Sequence, residues 1–396
     1  MKPAAVVLAL GTAQTLAWAS SFYLPAMLAA PMAAELGLAP ATVYALLSMA
    51  LLISALLGPL SGRTIDRHGG RPVLMGCSLA FAAALALMAA APSAPVLVLA
   101  WAALGAAMGF GLYDAAFAAL VRLYGGQARS AITGITLLAG FASTVGWPLT
   151  AWFEATWGWR GACAAWAALH VLVGLPLNAG LPRVGAAAMV PPPAPGAEAQ
   201  SAQPTAEAGR GLAPQRARRL GVLLAAVFAA MSVVSAGIAT HLPALLQASG
   251  ASLPVAVATA ALMGPAQVAA RLLELGWLRH HPPLLAARAA ALAHPVAAGL
   301  LLTLGPLAAM PFTVVHGLGN GLVTIVRGTL PLAVFGSAGY GARQGWLTLP
   351  ARVLGALSPW LFGLALARWG LGAVGLTAAV ALAGAAGLWV LRLPAR

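Results

Sequence analysis

Long apolar runs alternate with short polar stretches along the whole chain. A membrane-spanning helix needs roughly 20 predominantly apolar residues, and twelve runs approach or exceed that length. They lie near residues 4–28, 41–61, 72–91, 94–119, 131–153 and 160–180, and then near 219–242, 253–275, 284–304, 307–333, 343–366 and 371–392. The pattern predicts an all-α membrane protein with twelve transmembrane helices, six before and six after a polar interruption.

The interruption differs in composition from the runs on either side. Residues 183–218 are polar and rich in proline, including Pro191-Pro192-Pro193, and they have no helical period. Such segments behave as flexible linkers. We therefore expect an N-terminal six-helix bundle at 1–182, a cytoplasmic linker at 183–218 and a C-terminal six-helix bundle at 219–396.

Composition supports the same class of protein. Hydrophobic residues make up 61% of the chain and charged residues 7%, whereas soluble domains have about 45–50% and about 25%. The net charge of +14 comes almost entirely from arginines that lie between the apolar runs, so it indicates membrane topology and not nucleic-acid binding. The two cysteines, Cys77 and Cys163, lie inside apolar runs without metal-ligand spacing, and we expect no metal or cofactor.

The distribution of the arginines predicts the orientation. They follow predicted helices 2, 4, 6, 8 and 10, whereas the loops after helices 1, 3, 7 and 9 contain no Arg or Lys. Because cytoplasmic loops carry the excess of basic residues, both termini and the linker should be cytoplasmic; Arg160 and Arg368 are exceptions. The preference for Arg over Lys, with abundant Ala, Gly and Pro, is typical of GC-rich bacterial genomes, and the expected location is a bacterial inner membrane.

The two predicted bundles repeat a short pattern. Helix 2 contains Gly58-Pro59, Arg63 and Asp66, and helix 8 contains Gly264-Pro265, Arg271 and Glu274. The spacing from Arg to the acid is three in both, although the offset from Gly-Pro differs by two. Two related halves around a central cavity are a common plan of transporters.

The loop between predicted helices 2 and 3 resembles a known signature. Residues 62–71 match the G-x-x-x-D-R-x-G-x-R signature of the major facilitator superfamily, with Pro72 where that family often has a second basic residue. The five matching positions are Gly62, Asp66, Arg67, Gly69 and Arg71. Within the superfamily, residues 128–140 and Gly158-Trp159-Arg160 resemble bacterial monocarboxylate and oxalate carriers. The resemblance implies a secondary transporter that works as a monomer.

The signature also implies a conformational latch. By resemblance, Asp66 lies beside Arg67 and Arg71 and faces the start of helix 11, where a helix N-terminus presents partial positive charge. Arg271 and Glu274 would form a degenerate second latch in the other half. The alternative is that these arginines only fix the topology.

Polar side chains within the predicted spans are candidates for solute binding or coupling, because ionisable groups there are costly. In helix 10, His316, Asn320, Thr324 and Arg327 share one helical face. By resemblance, helices 1, 4, 7 and 10 line the solute cavity. The candidate residues are Asp114, Arg327, Asn320, His316, Arg352, Gln14, Trp18 and Tyr113.

These residues suggest a mechanism. One hypothesis pairs Asp114 with Arg327, so that an anionic solute such as a small carboxylate competes for Arg327 while Asp114 takes a proton. A structural role for Asp114 stays open, and the alternative function is proton-antiport efflux of drugs or amphipathic metabolites. The sequence contains no G-x-x-x-x-G-K-[ST] motif and no evident nucleophile–base set, so we expect neither ATP hydrolysis nor an enzyme.

Overall fold

The regular structure of the protein is helical throughout the ranges that the computed structural model describes, which are residues 3–125, 128–183, 214–335 and 340–391. The first half contains α1 (Pro3–Ala19), α2 (Pro25–Leu36), α3 (Pro40–His68), α4 (Gly70–Ala89), α5 (Ala94–Gly111), α6 (Tyr113–Tyr124), α7 (Ala128–Ala139), α8 (Ala142–Leu169), a π-helical turn (His170–Gly174) and α9 (Leu175–Ala179).

The second half contains the longest helix and the helices that follow it. These are α10 (Pro214–Ala248), α11 (Leu253–Ala260), α12 (Met263–Gly276), α13 (Pro283–Leu304), α14 (Ala309–Phe335), α15 (Tyr340–Trp369) and α16 (Ala373–Val390). Short 3₁₀ turns lie at Leu278–His280, Gly305–Ala308 and Gly370–Gly372. Proline begins several of the helices in both halves, where its missing N–H group has no cost.

Eight helical segments of the described chain are long and apolar enough to cross a membrane, in place of the twelve predicted runs. Three of them are far longer than one crossing requires: Ser130–Ala179 has 50 residues, Pro283–Phe335 has 53 and Trp346–Val390 has 45. Each is interrupted by a glycine with positive φ, at Gly158, Gly305 and Gly370 respectively. Because such a conformation suits only glycine without strain, the backbone changes direction at these points.

Two of the predicted membrane-spanning runs each form two helices instead of one. The run at 4–28 forms α1 and α2, which begins at Pro25, and the run at 94–119 forms α5 and α6, which begins at Tyr113. Apolar composition carries no information about these breaks, because a broken helix needs the same hydrophobic length as a straight one. The backbone of Leu112 is extended, with ψ of −165°.

The predicted linker at 183–218 ends earlier in the chain than expected. Residues 184–213 lie outside the described chain, and α10 begins at Pro214, so the last residues of the predicted linker at 183–218 are helical. Arg216, Arg218 and Arg219 are exposed on this first part of α10. A helix that extends beyond the membrane into water can carry such charges. The polar composition of these residues therefore did not reveal that α10 begins at Pro214.

The two halves pack together along α3 with α15, along α8 with α11 and α12, and along α2 with α10. At the Pro40 end of α3, the ring of Tyr44 stacks on His241 with centroids 3.7 Å apart. One turn further, the backbone N–H of Trp360 donates to the Ser48 hydroxyl at 3.2 Å. Trp147 of α8 is fully buried among apolar side chains of the second half. These contacts close the junction at that end.

Arg160, an exception to the predicted arginine distribution, has an acidic partner. Its Nη2 lies 2.8 Å from Oε1 of Glu35, at the end of α2, and its Nη1 donates to the carbonyl oxygen of Ala89 at 2.8 Å. Trp159 Nε1 donates to Glu35 Oε2 at 2.5 Å, and the guanidinium stacks over the Trp159 ring at 4.2 Å. The arginine, which follows the break of α8 at Gly158, therefore joins α8 to the C-terminal ends of α2 and α4.

Candidate functional site

The break between α5 and α6 positions Asp114. The chain leaves the helix at Leu112 and re-enters it at Tyr113, so Asp114 stands in the first turn of α6, where unpaired N–H groups favour a negative charge. The buried Gln14 of α1 donates from Nε2 to the carbonyl oxygen of Gly111 at 2.7 Å. Gln14, predicted to bind solute, thus supports the break that presents Asp114.

Asp114 forms an ion pair with Arg352 of α15. Asp114 Oδ2 and Arg352 Nη1 are 3.8 Å apart, which is near the limit for such a pair. The pair connects the two halves of the molecule. The sequence hypothesis chose Arg327 as the partner, and in this structure Arg352 takes that place.

Arg327 lies behind this pair on α14. Its Nη2 donates to the hydroxyl of Ser232 on α10 at 2.8 Å, and it is close enough to Arg352 for the two positive charges to repel each other. Asp114, Arg352 and Arg327 therefore carry two positive charges and one negative charge in one place. An added anion would reduce the repulsion between the two arginines.

The exposure of the pair shows that it borders an open space. The side chain of Asp114 is 65% exposed and that of Arg352 is 55% exposed, although both belong to apolar segments long enough to cross a membrane. Charged groups at membrane depth face water or protein and avoid lipid. The pair is therefore placed at a water-accessible cavity between the halves.

A continuous chain of six aromatic rings runs along the same junction. In order they are Phe117, Tyr113, Trp18, Phe22, Tyr23 and Trp147, with successive centroids 5.3, 5.1, 5.6, 5.1 and 5.3 Å apart. We refer to these residues as the aromatic chain. It places Trp18 and Tyr113, two predicted site residues, in contact with each other beside Asp114.

His316 and Asn320 lie elsewhere, inside the second half. His316 is buried, and its Nδ1 is 3.1 Å from Nδ1 of His294 on α13. Ser235 donates to Oδ1 of Asn320 at 2.5 Å. Together with neighbouring side chains they line a small cavity of about 20 Å³, which is room for one water molecule. The His316 and Asn320 side chains of the predicted polar stripe therefore point toward α13 and α10 of their own half.

The signature residues form the turn from α3 to α4. Arg67 and the exposed Asp66 lie in the last turn of α3, one turn after Gly62. Gly69 turns the chain with φ of 87° before α4 begins at Gly70, and Arg71 lies in the first turn of α4. Residues 336–339, which precede α15, lie outside the described chain, and the predicted contact of Asp66 with helix 11 stays a prediction.

Two residues that the sequence reasoning did not select hold this turn against α6. Nη1 of Arg122 donates to the carbonyl oxygen of Ile65 at 3.1 Å and also to that of Asp66. Gly70 lies so close to Ala119 that a Cβ atom there would be 3.0 Å from the Ala119 Cα. The one sequence signal for Arg122 is its place at the end of predicted helix 4. An arginine there is also expected from the membrane topology, so the signal does not point to this contact.

Arg271, a predicted latch residue of the second half, reaches across to the first half. Its Nη1 donates to the carbonyl oxygen of Thr136 on α7 at 2.6 Å. Nearby, Thr144 donates to the carbonyl oxygen of Ala261 at 2.7 Å, and a Cβ on Gly264 would be 2.7 Å from the carbonyl oxygen of Gly140. Glu274 is one helical turn further on α12. This close crossing is a second line of contact between the halves.

Comparison with known proteins gives the family and the fold. The profile of the Major Facilitator Superfamily matches residues 10–325, and no curated protein sequence matches significantly. Among solved structures, the peptide transporter POT is similar with a TM-score of 0.74 and 15% identity, over 97% of this chain and 93% of that one. The nucleoside transporter NupG has a TM-score of 0.70 and 14% identity, with 97% of each chain covered.

A further solved structure is that of a bacterial homologue of the human lysosomal transporter Spinster, in an inward-facing and occupied conformation. Its TM-score is 0.68 and its identity 16%, over 98% of this chain and 97% of that one. At such low identities the likeness concerns the fold alone.

Proposed function

This chain belongs to the Major Facilitator Superfamily, and we propose that it carries a small organic anion, such as a carboxylate, across a bacterial inner membrane. The family and the transporters with the same fold make it a transporter rather than an enzyme. The observation that supports an anionic solute is the group of two arginines and one aspartate at the junction of the halves.

The proposed architecture has twelve membrane crossings in two bundles of six, at 1–182 and 219–396, joined by the segment at 183–218, whose last residues from Pro214 belong to α10. Three of the eight long segments have 45 to 53 residues, more than twice the roughly 20 residues of one crossing, and each contains a turn at glycine. When these three segments are counted as two crossings each, and the segment of α1 and α2 is added, the total is twelve. The arginine distribution supports cytoplasmic termini.

The charge balance is the main argument for an anion. Arg327 and Arg352 repel each other, and among the described residues Asp114 is the one carboxylate within ion-pair distance of Arg352. A carboxylate solute supplies a second negative charge and can accept a bidentate contact from a guanidinium. A cationic solute would add a third positive charge and would have to displace Arg352 from Asp114. The charges therefore favour anions, which agrees with the sequence resemblance to monocarboxylate and oxalate carriers.

Alternating access follows from the arrangement of the contacts. The Tyr44 end of the junction is closed by ring stacking and by the Ser48–Trp360 hydrogen bond. At the other end, Leu56 of α3 and Trp346 of α15 are 79% and 76% exposed. We infer a state open on the side of the signature turn, and rocking of the halves about the Asp114–Arg352 pair would open the other side.

Proton coupling through Asp114 completes the proposal. When the anion contacts Arg352, the ion pair with Asp114 weakens, and protonation of the freed carboxylate would remove the one remaining negative charge beside the solute. Each transport event would then move the anion and a proton together. The chain would do this as a monomer, without a metal or other cofactor.

The test is proton movement into proteoliposomes that contain a pH-sensitive dye. Addition of small carboxylates should acidify the lumen with wild-type protein and leave it unchanged with Asp114→Asn. Acidification by lipophilic cations alone would contradict the proposal. If labelled carboxylate enters without a proton signal, transport of anions stands and coupling through Asp114 is wrong.

A further inference from the structure

The rings of the aromatic chain are more exposed than the large aromatic rings of the core. The large core rings, such as Trp101 and Trp166, are completely buried within the first half. In contrast Trp18, Phe22, Tyr113 and Phe117 are each partly exposed. Successive contacts of 5.1 to 5.6 Å hold these four rings in a row. Their free faces are therefore a preformed aromatic surface.

This surface lies at the junction of the halves, beside the Asp114–Arg352 pair. Phe22 and Tyr23 pack against the apolar cluster of the second half, and Trp147 is buried in that cluster. The aromatic chain is thus the side of the first half that faces the second half.

The aromatic surface and the charged group adjoin each other. Tyr113 directly precedes Asp114 in the first turn of α6, and its ring contacts Trp18. Trp18 Nε1 is buried without a hydrogen-bond partner among the described residues. A ligand that has a flat ring and an anionic group within a few ångströms of each other would use both parts at once, and a ring heteroatom or carboxylate oxygen could accept from Trp18.

We propose that the transported anion is an aromatic carboxylate, whose ring stacks on Trp18 and Tyr113 while its carboxylate contacts Arg352. This inference rests on the proposed function and narrows its substrate class. Stacking of rings in offset or edge-to-face geometry contributes specific attraction beyond the burial of apolar area. Two such contacts in a desolvated site should favour an aromatic over a saturated ring of similar size by about 10-fold.

The test compares two solutes with the same charge and the same number of ring carbons, benzoate and cyclohexanecarboxylate. Each competes against labelled benzoate in proteoliposomes with wild-type protein, Trp18→Leu, Trp18→Phe and Trp152→Leu. Trp152 is an exposed tryptophan of α8 that lies outside the aromatic chain, so it controls for the general effect of the substitution. Trp18→Phe keeps a ring at the position if Trp18→Leu does not fold.

Benzoate should compete about 10-fold better than cyclohexanecarboxylate with wild-type protein, Trp18→Phe and Trp152→Leu, and only about 3-fold better with Trp18→Leu, which keeps the Tyr113 contact alone. Equal competition with wild-type protein, or a preference that Trp18→Leu does not reduce, overturns the aromatic inference while anion transport stands. If neither carboxylate is bound or moved, or if aromatic cations are carried instead, the proposed function fails and this inference fails with it.

Discussion

Asp114 of α6 and Arg352 of α15 form an ion pair across the junction of the two halves, at 3.8 Å. The position of Asp114 depends on the break in the helix at Leu112. The position of Arg352 depends on the packing of α15 against α3 of the other half. A solute that engages Arg352 therefore acts directly on a bond between the halves. This links solute binding to the relative position of the halves without any additional element.

The contact of Gln14 with Gly111 should stabilise the break that presents Asp114. Gln14→Leu leaves the buried carbonyl oxygen of Gly111 without its donor, and an unsatisfied buried acceptor costs about 1–3 kcal/mol. We expect a lower melting temperature in detergent and slower uptake of carboxylates. Gln247→Leu, at an exposed glutamine of α10, should change neither. An unchanged melting temperature of Gln14→Leu would contradict the role given to this hydrogen bond.

Gly264 should be required for the close crossing of α12 with α7 and α8. A larger side chain would collide with Thr144 and with the backbone at Gly140, so Gly264→Val should push the halves apart. We expect uptake to fall at least 10-fold while the purified protein stays monodisperse. Gly299→Val in α13, where nothing lies within 4 Å of an added Cβ atom, is the matched control. Normal uptake by Gly264→Val would show that this contact is not needed during the transport cycle.

Arg122 should hold the end of α3 and with it the signature turn. Arg122→Gln shortens the side chain that donates to the carbonyl oxygens of Ile65 and Asp66. The Asp66 carbonyl then loses this donor, and the Ile65 carbonyl keeps the bond from the Gly69 N–H. Amide hydrogen exchange in residues 65–70 should become faster, and uptake should fall several-fold. Arg63→Gln, which alters an exposed arginine of the same helix, should leave exchange there unchanged. Equal exchange in both variants would argue against the contact.

Glu35 should make the stability of the protein depend on pH in the acidic range. Hydrogen bonds from Arg160 and Trp159 hold the pKa of Glu35 below its ordinary value of 4.5. Because the folded pKa is lower than the unfolded one, the contribution is complete above the unfolded pKa and is lost as the pH falls through the folded pKa. Melting in detergent between pH 7 and about pH 3 should show a smaller acid-induced decrease for Glu35→Gln than for the wild type.

The sequence predicted an all-helical membrane protein of the Major Facilitator Superfamily and singled out Asp114 and Arg352 as candidates, and its errors have specific causes. Asp114 stood out because an acid in an apolar run is costly, and the signature residues matched a known pattern. Arg327 was chosen as partner on depth alone, since a linear sequence does not show that α6 starts at a break and points Asp114 toward α15. Helical periodicity placed His316 on one face with Arg327, but could not tell that His316 packs against His294 of its own half.

Gly70 and Arg122 were not selected for a related reason. Their partners Ala119 and Ile65 are far from them along the chain, and nothing in a single sequence records such distant contacts. The number of long helical segments also differed from the number of apolar runs. Turns at Gly158, Gly305 and Gly370 are compact enough to leave the helix on either side almost continuous.

Equilibrium binding of a labelled carboxylate to the purified protein tests the central claim most directly, because two single substitutions should change affinity in opposite directions. Asp114→Asn removes the carboxylate that competes for Arg352 and should tighten binding, whereas Arg352→Gln removes a charge-assisted contact of about 1.5–3 kcal/mol and should weaken binding roughly 10- to 100-fold. Opposite shifts of this kind are the predicted result. If both substitutions leave the affinity unchanged, or shift it in the same direction, the Asp114–Arg352 pair is not the site of the anion.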